Sequence, residues 1–255
     1  MKRPRADPCL AAGRGARTFP GDPTENYWYR RHLAAYGLAA RALRRAGARR
    51  ILDVGCGEGF GAALLARGGI VHAVELDGPT GAHAARSYPG IRVVRADACH
   101  LPYRPDSFDA VCAMQVMEHL YCADGFLRQV RSVLRPAGTL LLSTPNRETF
   151  SPDGPNPFHV YEYTAEELDS LLRIHFGTVR VGGLHHGALL RRADRLAGGS
   201  FQHLLMQTPF DRLPARLRIP ARAVRAGHFQ VGTAEGALDL LVTASGLRTE
   251  MEASG

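Results

Sequence analysis

The chain has 255 residues, of which 45% are apolar, and it carries a formal net charge of +8 at pH 7. This length is enough for one domain with an elaboration and a sizeable core. No run approaches the roughly 18 apolar residues of a transmembrane helix, and residues 1–15 lack a signal-peptide apolar region, so we expect a cytoplasmic protein without a membrane span. The five cysteines include no Cys-x-x-Cys pair, which argues against a disulfide framework or a thiolate zinc site.

The positive charge raises the question of a nucleic-acid partner. Lys2 is the only lysine, and arginine supplies the remaining basic side chains. Because alanine and glycine are abundant beside arginine, a coding bias toward these residues is the simplest explanation of the surplus. The charge is therefore modest evidence for a polyanionic partner: nucleic acid is not expected, although the sequence does not exclude it.

The first regular pattern follows a region rich in proline, glycine and arginine. Residues 1–22 lack apolar periodicity, which predicts a disordered basic leader. Thr24 can cap a helix whose apolar and aromatic residues recur at helical spacing as far as Leu43, and Gly47 is placed to end it. We assign residues 23–48 to this N-terminal helix.

The most informative stretch reads ILDVGCGEGFGAALLA. Its apolar run 51–54 predicts a buried parallel strand, and a helix is expected from Phe60. Between them stand Gly55, Gly57 and Gly59, where a missing Cβ permits positive φ and lets a ligand lie on the main chain at a helix N-terminus. The spacing G-x-G-x-G, with Phe60 in the place of the last fingerprint glycine, disfavours a dinucleotide site, which uses G-x-G-x-x-G.

Acidic residues stand at the ends of further apolar runs. Glu75 ends the second run, Asp97 follows the third, and Asp109 opens the fourth. Each can be a mere turn former, but at the carboxyl end of a parallel strand a carboxylate can also accept both hydroxyls of a ribose. Strands alternating with helices predict an open, doubly wound α/β sheet with helices on both faces. The predicted core elements are strand 51–54, helix 60–67, strand 71–75, helix 79–87, strand 91–95, strand 108–114, helix 123–134 and strand 138–144.

The second half of the chain is less regular. Prolines and glycine in residues 145–157 predict a long irregular loop at the ligand-binding edge of the sheet. Thr164 and Glu167 form a capping box for the following helix, and two strands are expected around residues 178–181 and 238–243. The predicted domains are a core over 49–183, an inserted helical substrate cap over 184–234, and the last strand with a C-terminal tail over 235–255.

The chain resembles the class I S-adenosylmethionine-dependent methyltransferases, specifically their type 11 branch. The resemblance covers about residues 45–183 and implies a Rossmann-like, mainly parallel seven-stranded sheet with an antiparallel last strand. It also implies S-adenosyl-L-methionine as cofactor and a lid role for helix 23–48, although packing onto the sheet is the other role open to Trp28. The matching segments are LDVGCGEG (52–59), AVELD (73–77), RADACHLPYRPDSFDAV (95–111), MEHL (117–120), VLRPAGTLLLSTPN (133–146) and YTAEELDSLL (163–172).

The same resemblance assigns roles around the cofactor. It implies that Gly55 and Gly57 lie against the methionine part, that Asp53 supports their loop, and that Glu75 binds the ribose. The two residues after the third strand are implied to recognise the adenine. The predicted cofactor-binding residues are Asp53, Gly55, Gly57, Gly59, Glu75, Asp97, Ala98 and Gln115.

Two histidines compete for the role of general base or substrate contact. His119 stands in MEHL just past the fourth strand, and His159 stands in the irregular loop expected to fold over the same pocket. A purely structural role is open for each. Some relatives bind a divalent ion through E-x-x-E-H and a distant histidine, but here Gln115 replaces the first acid. A neutral amide is a poor ligand for a hard cation, so no metal is expected.

The acceptor is inferred from a looser similarity. The T-P-N and N-P-F-H segments and the arginine-rich insertion resemble actinobacterial methyltransferases associated with polysaccharide and glycolipid synthesis. This suggests O-methylation of a small-molecule or sugar hydroxyl, with Phe158, Tyr161 or Tyr163 as stacking surfaces. One alternative is an RNA methyltransferase, but MQVM stands where base-amino methylation would require N-P-P-[YF]. The other is a non-catalytic binding protein, which the complete cofactor set opposes.

Overall fold

The computed structural model describes residues 26–150, 156–188 and 229–247. The predicted leader 1–22 and most of the predicted cap lie outside these residues. None of the described helices combines the length and apolar composition that a bilayer crossing requires. The strands are β1 (Arg50–Val54), β2 (Ile70–Glu75), β3 (Ile91–Arg95), β4 (Phe108–Met114), β5 (Leu134–Pro145), β6 (Phe176–His186), β7 (Phe229–Gly232) and β8 (Asp239–Leu247). The helices are α1 (Asn26–Arg45), α2 (Phe60–Leu65), α3 (Gly78–Ser87), α4 (Ala123–Val133), α5 (Arg147–Phe150), α6 (Ala165–His175) and a 3₁₀ turn (Met117–His119).

The described strands form one sheet in the order β3-β2-β1-β4-β5-β8-β6-β7. Strands β1 to β5 pair in parallel, and β8 is antiparallel to both of its neighbours, β5 and β6. This is the predicted Rossmann-like sheet with its antiparallel last strand. The structure adds an eighth strand, because β7 pairs antiparallel with the outer edge of β6.

Two hydrophobic cores cover the two faces of this sheet. One joins the sheet to α4 and α6 and contains Phe126 and Leu172; the other joins it to α1 and α2 and contains Leu43 and Ala62. The apolar face of α1 therefore lies on the sheet, as its helical spacing predicted. Helices on both faces leave the carboxyl edge of β1, β2 and β4 as the place where a ligand can bind.

The loop predicted to be irregular contains a short helix. The Asn146 carbonyl accepts the N–H groups of Thr149 and Phe150, and its side-chain oxygen accepts that of Glu148. These bonds form the single turn of α5, so the prediction of no regular structure is wrong for residues 147–150. Residues 151–155 lie outside the described part of the chain.

The elements after this loop agree with the predicted order. The capping box of α6 is present: the Thr164 hydroxyl accepts the Glu167 N–H at 3.2 Å, and the Glu167 carboxylate accepts the Thr164 N–H at 3.0 Å. Strand β6 extends to His186, inside the segment assigned to the inserted cap, and β7 also comes from that segment. Residues 189–228, the bulk of the predicted cap, are not among those described.

Candidate active site

The turn between β1 and α2 has the backbone that its glycines predicted. Gly55, Gly57 and Gly59 have φ values of +70°, +52° and +87°, in the left-handed region that other residues avoid. The Gly55 N–H donates to the Val74 carbonyl at 2.8 Å. The turn is therefore fixed to the end of the neighbouring strand.

Each glycine of the turn has a different neighbour. A Cβ on Gly55 would lie 2.6 Å from Val116, and one on Gly59 would lie 2.8 Å from Ala84. A Cβ on Gly57 would meet nothing within 4 Å. The first two glycines are needed for close packing, whereas Gly57 leaves its main chain open to a ligand.

A cavity of about 420 Å³ opens beside this turn at the carboxyl edge of the sheet. Helix α1, the turn, the end of β4, the 3₁₀ turn, α5 and the loop before α6 all contribute to its wall. From the predicted cofactor set it includes Gly55, Gly57 and Gln115, and it includes both predicted catalytic histidines. The residues that line it are Trp28, His32, Tyr36, Gly55, Cys56, Gly57, Glu58, Phe60, Met114, Gln115, Glu118, His119, Phe150, Asn156, Pro157, Phe158 and His159.

Glu75 is placed beside the turn, at the end of β2. Its two carboxylate oxygens accept the N–H groups of Gly57 at 2.9 Å and of Asp77 at 3.0 Å. Because a carboxylate oxygen can accept a second hydrogen bond, both oxygens can still bind hydroxyls. The geometry is compatible with the predicted ribose contact, which stays a prediction.

Asp53 lies beneath the turn and is fully buried. Both of its carboxylate oxygens lie 3.2 Å from the Tyr36 hydroxyl, which donates to them. Burial raises the pKa of Asp53 to about 8, an effect that the Tyr36 hydrogen bond partly offsets. Asp53 thus connects the end of β1 to α1 and does not line the cavity.

Asp97 and Ala98 follow β3 and lie outside the cavity wall among the described residues. One Asp97 carboxylate oxygen accepts the Cys99 N–H at 2.9 Å, and the other lies 3.5 Å from Nδ1 of His100. The structure therefore gives Asp97 a local turn-forming role, and the adenine contact of the pair stays a prediction.

His119 and His159 meet on the cavity wall, with ring centroids 5.1 Å apart. Nδ1 of His119 lies 2.9 Å from the Phe158 carbonyl oxygen, and Nδ1 of His159 lies 2.6 Å from a carboxylate oxygen of Glu162. Carbonyl and carboxylate oxygens only accept hydrogen bonds, so each Nδ1 carries the ring proton. In the neutral form of each ring, Nε2 therefore keeps a lone pair. Burial lowers the pKa of His119.

Glu118 is a buried acid on the cavity wall that we did not select from the sequence. It is 1% exposed and accepts a hydrogen bond from the Thr144 hydroxyl at 2.9 Å. Burial raises its pKa to about 8. The candidate ligand atoms of Glu118, His119 and His159 lie within 4.8 Å of one another, a set that can hold a divalent cation. The expectation of a metal-free site is therefore one to test with a chelator.

Helix α1 is joined to the far end of the chain through a buried ion pair. Arg31 Nε donates to Asp239 at 2.6 Å, and a terminal nitrogen of the same guanidinium pairs with the other carboxylate oxygen and donates to the Leu238 carbonyl at 2.7 Å. The Gln115 amide donates to Asp239 at 3.1 Å. The sequence offered no signal for this pair, because 208 residues separate its partners.

Similarity to known proteins shows the family to which the chain belongs. A family model described as a methyltransferase domain, of type 11, matches residues 52–142. A probable S-adenosylmethionine-dependent methyltransferase of Mycobacterium tuberculosis is 40% identical to this chain over 253 residues, which cover 94% of this chain and 91% of the relative. The chain belongs to the class I S-adenosylmethionine-dependent methyltransferases. This methyltransferase is of the type 11 branch, and S-adenosyl-L-methionine is its cofactor.

Two further comparisons involve named acceptors. A ubiquinone biosynthesis O-methyltransferase of Parvibaculum lavamentivorans is 36% identical over 132 residues, 49% of this chain and 52% of that one. A crystal structure from Thermotoga maritima, titled a possible histamine N-methyltransferase, superposes with a TM-score of 0.58 at 18% identity, covering 86% of this chain and 92% of that one. This second similarity concerns the fold alone. The glycine turn fits the methyltransferase cofactor, since Gly57 lines the cavity with nothing opposite its Cβ position.

Proposed function

We propose that this methyltransferase acts on a hydroxyl group of an uncharged small molecule or glycan. When bound, the cofactor supplies a sulfonium methyl that passes to the acceptor oxygen while the electron pair of the carbon–sulfur bond stays on sulfur, leaving S-adenosylhomocysteine. The observation that carries the proposal is the pair of imidazoles on the cavity wall, His119 and His159, each of which uses Nδ1 for a hydrogen bond and leaves Nε2 of the neutral ring for a proton. One of them takes the hydroxyl proton.

A base of this kind is what a hydroxyl acceptor needs. A neutral amine already has a nucleophilic lone pair, whereas a hydroxyl is a weak nucleophile until its proton is removed. General-base catalysis by a positioned histidine is worth roughly 10²- to 10⁴-fold in rate. Trp28 of α1 and Phe158 of the loop before α6 line the cavity, and exclusion of water by such apolar side chains favours transfer to the bound acceptor.

The charge state of the wall disfavours an anionic acceptor. Burial lowers the pKa of His32 to about 4 and raises that of Glu118 to about 8, so both are mainly neutral near pH 7. No arginine or lysine lines the cavity within the described parts of the chain. Phosphate recognition draws on such cations, so the wall gives no support to the RNA alternative.

Exposed aromatic side chains stand near the cavity. Phe158 is 48% exposed and lines it, and Tyr161, 44% exposed, follows in the same loop. Tyr163, the third stacking candidate, is 6% exposed and contacts Tyr161 edge-on at 4.9 Å. Phe158 is therefore open to a sugar or an aromatic ring, whereas the Arg147 guanidinium lies over the Tyr161 ring, 5.7 Å from its centroid, and Tyr163 is buried.

The test uses cofactor labelled in its methyl group. We expect incubation with a cell extract depleted of nucleic acid to label a low-mass or saccharide product as a base-stable methyl ether. Labelling of an amine alone in this extract, or of RNA alone in an extract that retains its nucleic acid, would contradict the proposal. Parallel reactions with and without a chelator test metal dependence, and equal rates would confirm a metal-free site.

Variants of the two histidines complete the test. His119→Gln and His159→Gln are expected to bind S-adenosylhomocysteine as the wild type does in calorimetry, because neither belongs to the predicted cofactor set. At least one should lower turnover by about 10²-fold or more. Undiminished turnover in both variants would refute the role of a histidine base.

A further inference from the structure

The face of the sheet toward α1 carries a second cavity, apart from the candidate active site. It is a groove of about 340 Å³ between the C-terminal half of α1 and strands β5, β8, β6 and β7, and this volume is within the roughly 300–1,000 Å³ of small-molecule sites. We propose that this groove binds a single-chain carboxylate, with the apolar chain along its floor and the carboxylate at arginines on its rim. The proposal goes beyond the proposed function, because this ligand is not the methyl acceptor.

The floor of the groove is apolar and recessed. Met114 and Leu141, from β4 and β5, line it and are 7% and 5% exposed, and Leu241 of β8 lies between them and the outer strands. Leu38 of α1 stands on one side and Val231 of β7, 55% exposed, on the other. A flat bilayer surface cannot reach a floor that lies below two such walls. A single extended chain can, and it would bury apolar surface along the whole floor.

Three arginines form the rim of this groove: Arg41 and Arg45 of α1, and Arg180 of β6. Arg180 is in register with Thr243, and Thr243 with Leu141. Because residues directly paired across strands share a face of the sheet, Arg180 stands on the face that carries the apolar floor. No acidic residue lines the groove within the described ranges, and none of the three guanidiniums has a hydrogen-bond or ion-pair partner there.

Guanidiniums without partners beside an apolar floor fit a ligand with an anionic head and an apolar chain. A planar guanidinium donates two parallel hydrogen bonds to a carboxylate, so each rim arginine can hold the head. A second copy of the chain is a poorer occupant. In a symmetric dimer the same patch meets itself, and the rim arginines of one copy would face those of the other, which like-charge repulsion opposes.

The test is calorimetric titration of the full chain with monomeric octanoate, decanoate and 1-decanol. The affinity for the carboxylates should rise about fourfold for each added CH₂, and decanoate should bind about tenfold or more tightly than decanol. Equal affinities for decanoate and decanol, or no binding of either, would overturn the proposal. Binding to vesicles of anionic phospholipid without any binding of monomeric decanoate would also overturn it.

A second set of titrations separates the groove from the active site, since Met114 lines both cavities. Decanoate should bind with the same affinity, within about threefold, whether or not the chain is saturated with S-adenosylhomocysteine. Loss of decanoate binding on saturation would place the chain of the ligand in the active-site cavity and refute a second site.

Variants locate the ligand on the rim and the floor. Arg45→Gln and Arg180→Gln should each weaken decanoate about tenfold and leave decanol unchanged. Arg44→Gln is the matched control, because it removes the same charge from the last turn of α1 outside the groove. Ala42 is exposed and lines the groove, so Ala42→Trp should fold, bind S-adenosylhomocysteine like the wild type and weaken both ligands by filling their space.

Two outcomes with these variants would contradict the proposal. Equal loss of decanoate affinity in Arg44→Gln and Arg180→Gln would show attraction to the general positive charge of the chain. Unchanged affinity in Ala42→Trp would show that the apolar chain binds elsewhere.

Discussion

The predicted cofactor side of the cavity, at the glycine turn, and the proposed acceptor side, around His119 and His159, are built in opposite ways. On the cofactor side, one glycine turn and the end of the neighbouring strand present mainly backbone groups, and Glu75 is fixed by N–H groups of Gly57 and Asp77. On the acceptor side, side chains from α1, the 3₁₀ turn and the loop before α6 come together on the wall, and β8 holds α1 through the Arg31–Asp239 pair. Local backbone geometry can be specified by a short motif, whereas a wall of side chains exists only after the whole domain has packed.

The largest expected effect is on the acceptor side, at the buried ion pair. Arg31→Leu leaves Asp239 buried without its charged partner, which should lower the free energy of unfolding by about 3–5 kcal/mol. Urea unfolding followed by circular dichroism measures this. Adding Asp239→Asn removes the uncompensated charge and should recover part of the loss. An unfolding midpoint of Arg31→Leu equal to that of the wild type would show that long-range pairing does not hold this side together.

The next effect isolates the cofactor side. Glu75→Ala removes both carboxylate oxygens that we predict to bind the ribose, so calorimetry should find S-adenosylhomocysteine bound about 100-fold or more weakly. His159→Gln is the matched control and should bind like the wild type. Equal loss of affinity in the two variants would mean that the two sides do not act separately.

The third effect concerns the buried acid on the acceptor side. Because the pKa of Glu118 rises from 4.5 to about 8 on folding, the folded state keeps a proton that the unfolded state releases between these values. Its contribution to stability is complete below about pH 4.5 and is lost as pH rises toward 8. Glutamine does not titrate, so Glu118→Gln lacks this pH dependence of stability. Its melting temperature should therefore rise relative to that of the wild type between pH 5.5 and 8, by an equivalent of about 1–3 kcal/mol in the free energy of unfolding. A constant difference across this range would show that Glu118 is ionised in the folded state. The pKa of Asp53 is also raised. Because Asp53 is present in both proteins, its effect on stability cancels in the comparison.

The smallest effect tests whether the turn binds through its main chain. Gly57 and Gly47 both have positive φ, +52° and +70°, and a Cβ on either would meet nothing within 4 Å. Replacing either with alanine should therefore cost about 1 kcal/mol of stability through backbone strain. Only Gly57→Ala should also weaken S-adenosylhomocysteine binding, by about tenfold. Equal affinities in the two variants would show that the cofactor does not lie on Gly57.

The glycine turn and the order of the elements show how much of the fold could be predicted from the sequence. Gly55, Gly57 and Gly59 have the positive φ values that their spacing predicted, since a glycine turn is a local property of a few residues. The order of strands and helices was predictable for the same reason. The short helix α5 was missed because Asn146, a residue that reads as a loop former, satisfies the N–H groups of the residues after it.

The acceptor side was only partly predictable. His119 and His159 were identified as the two competing bases, but their tautomers follow from Phe158 and Glu162, which no spacing rule connects to a function. Glu118 was missed as a cavity residue, because only burial distinguishes an acid with a shifted pKa from one with an ordinary pKa. The pairing of Arg31 with Asp239 was not detectable at all, since it spans most of the chain.

The sequence by itself determined the α/β fold and the position of the glycine turn, because both depend on local periodicity and on glycines in a left-handed backbone; the cofactor followed from the resemblance of its motifs to a known family. The tertiary structure decided which side chains line the cavity and how burial shifts their proton affinities. Proton affinity and hydrogen-bond partners are set by burial and by neighbours distant in the chain, and these exist only once α1, the 3₁₀ turn and the loop before α6 have packed against the same edge of the sheet.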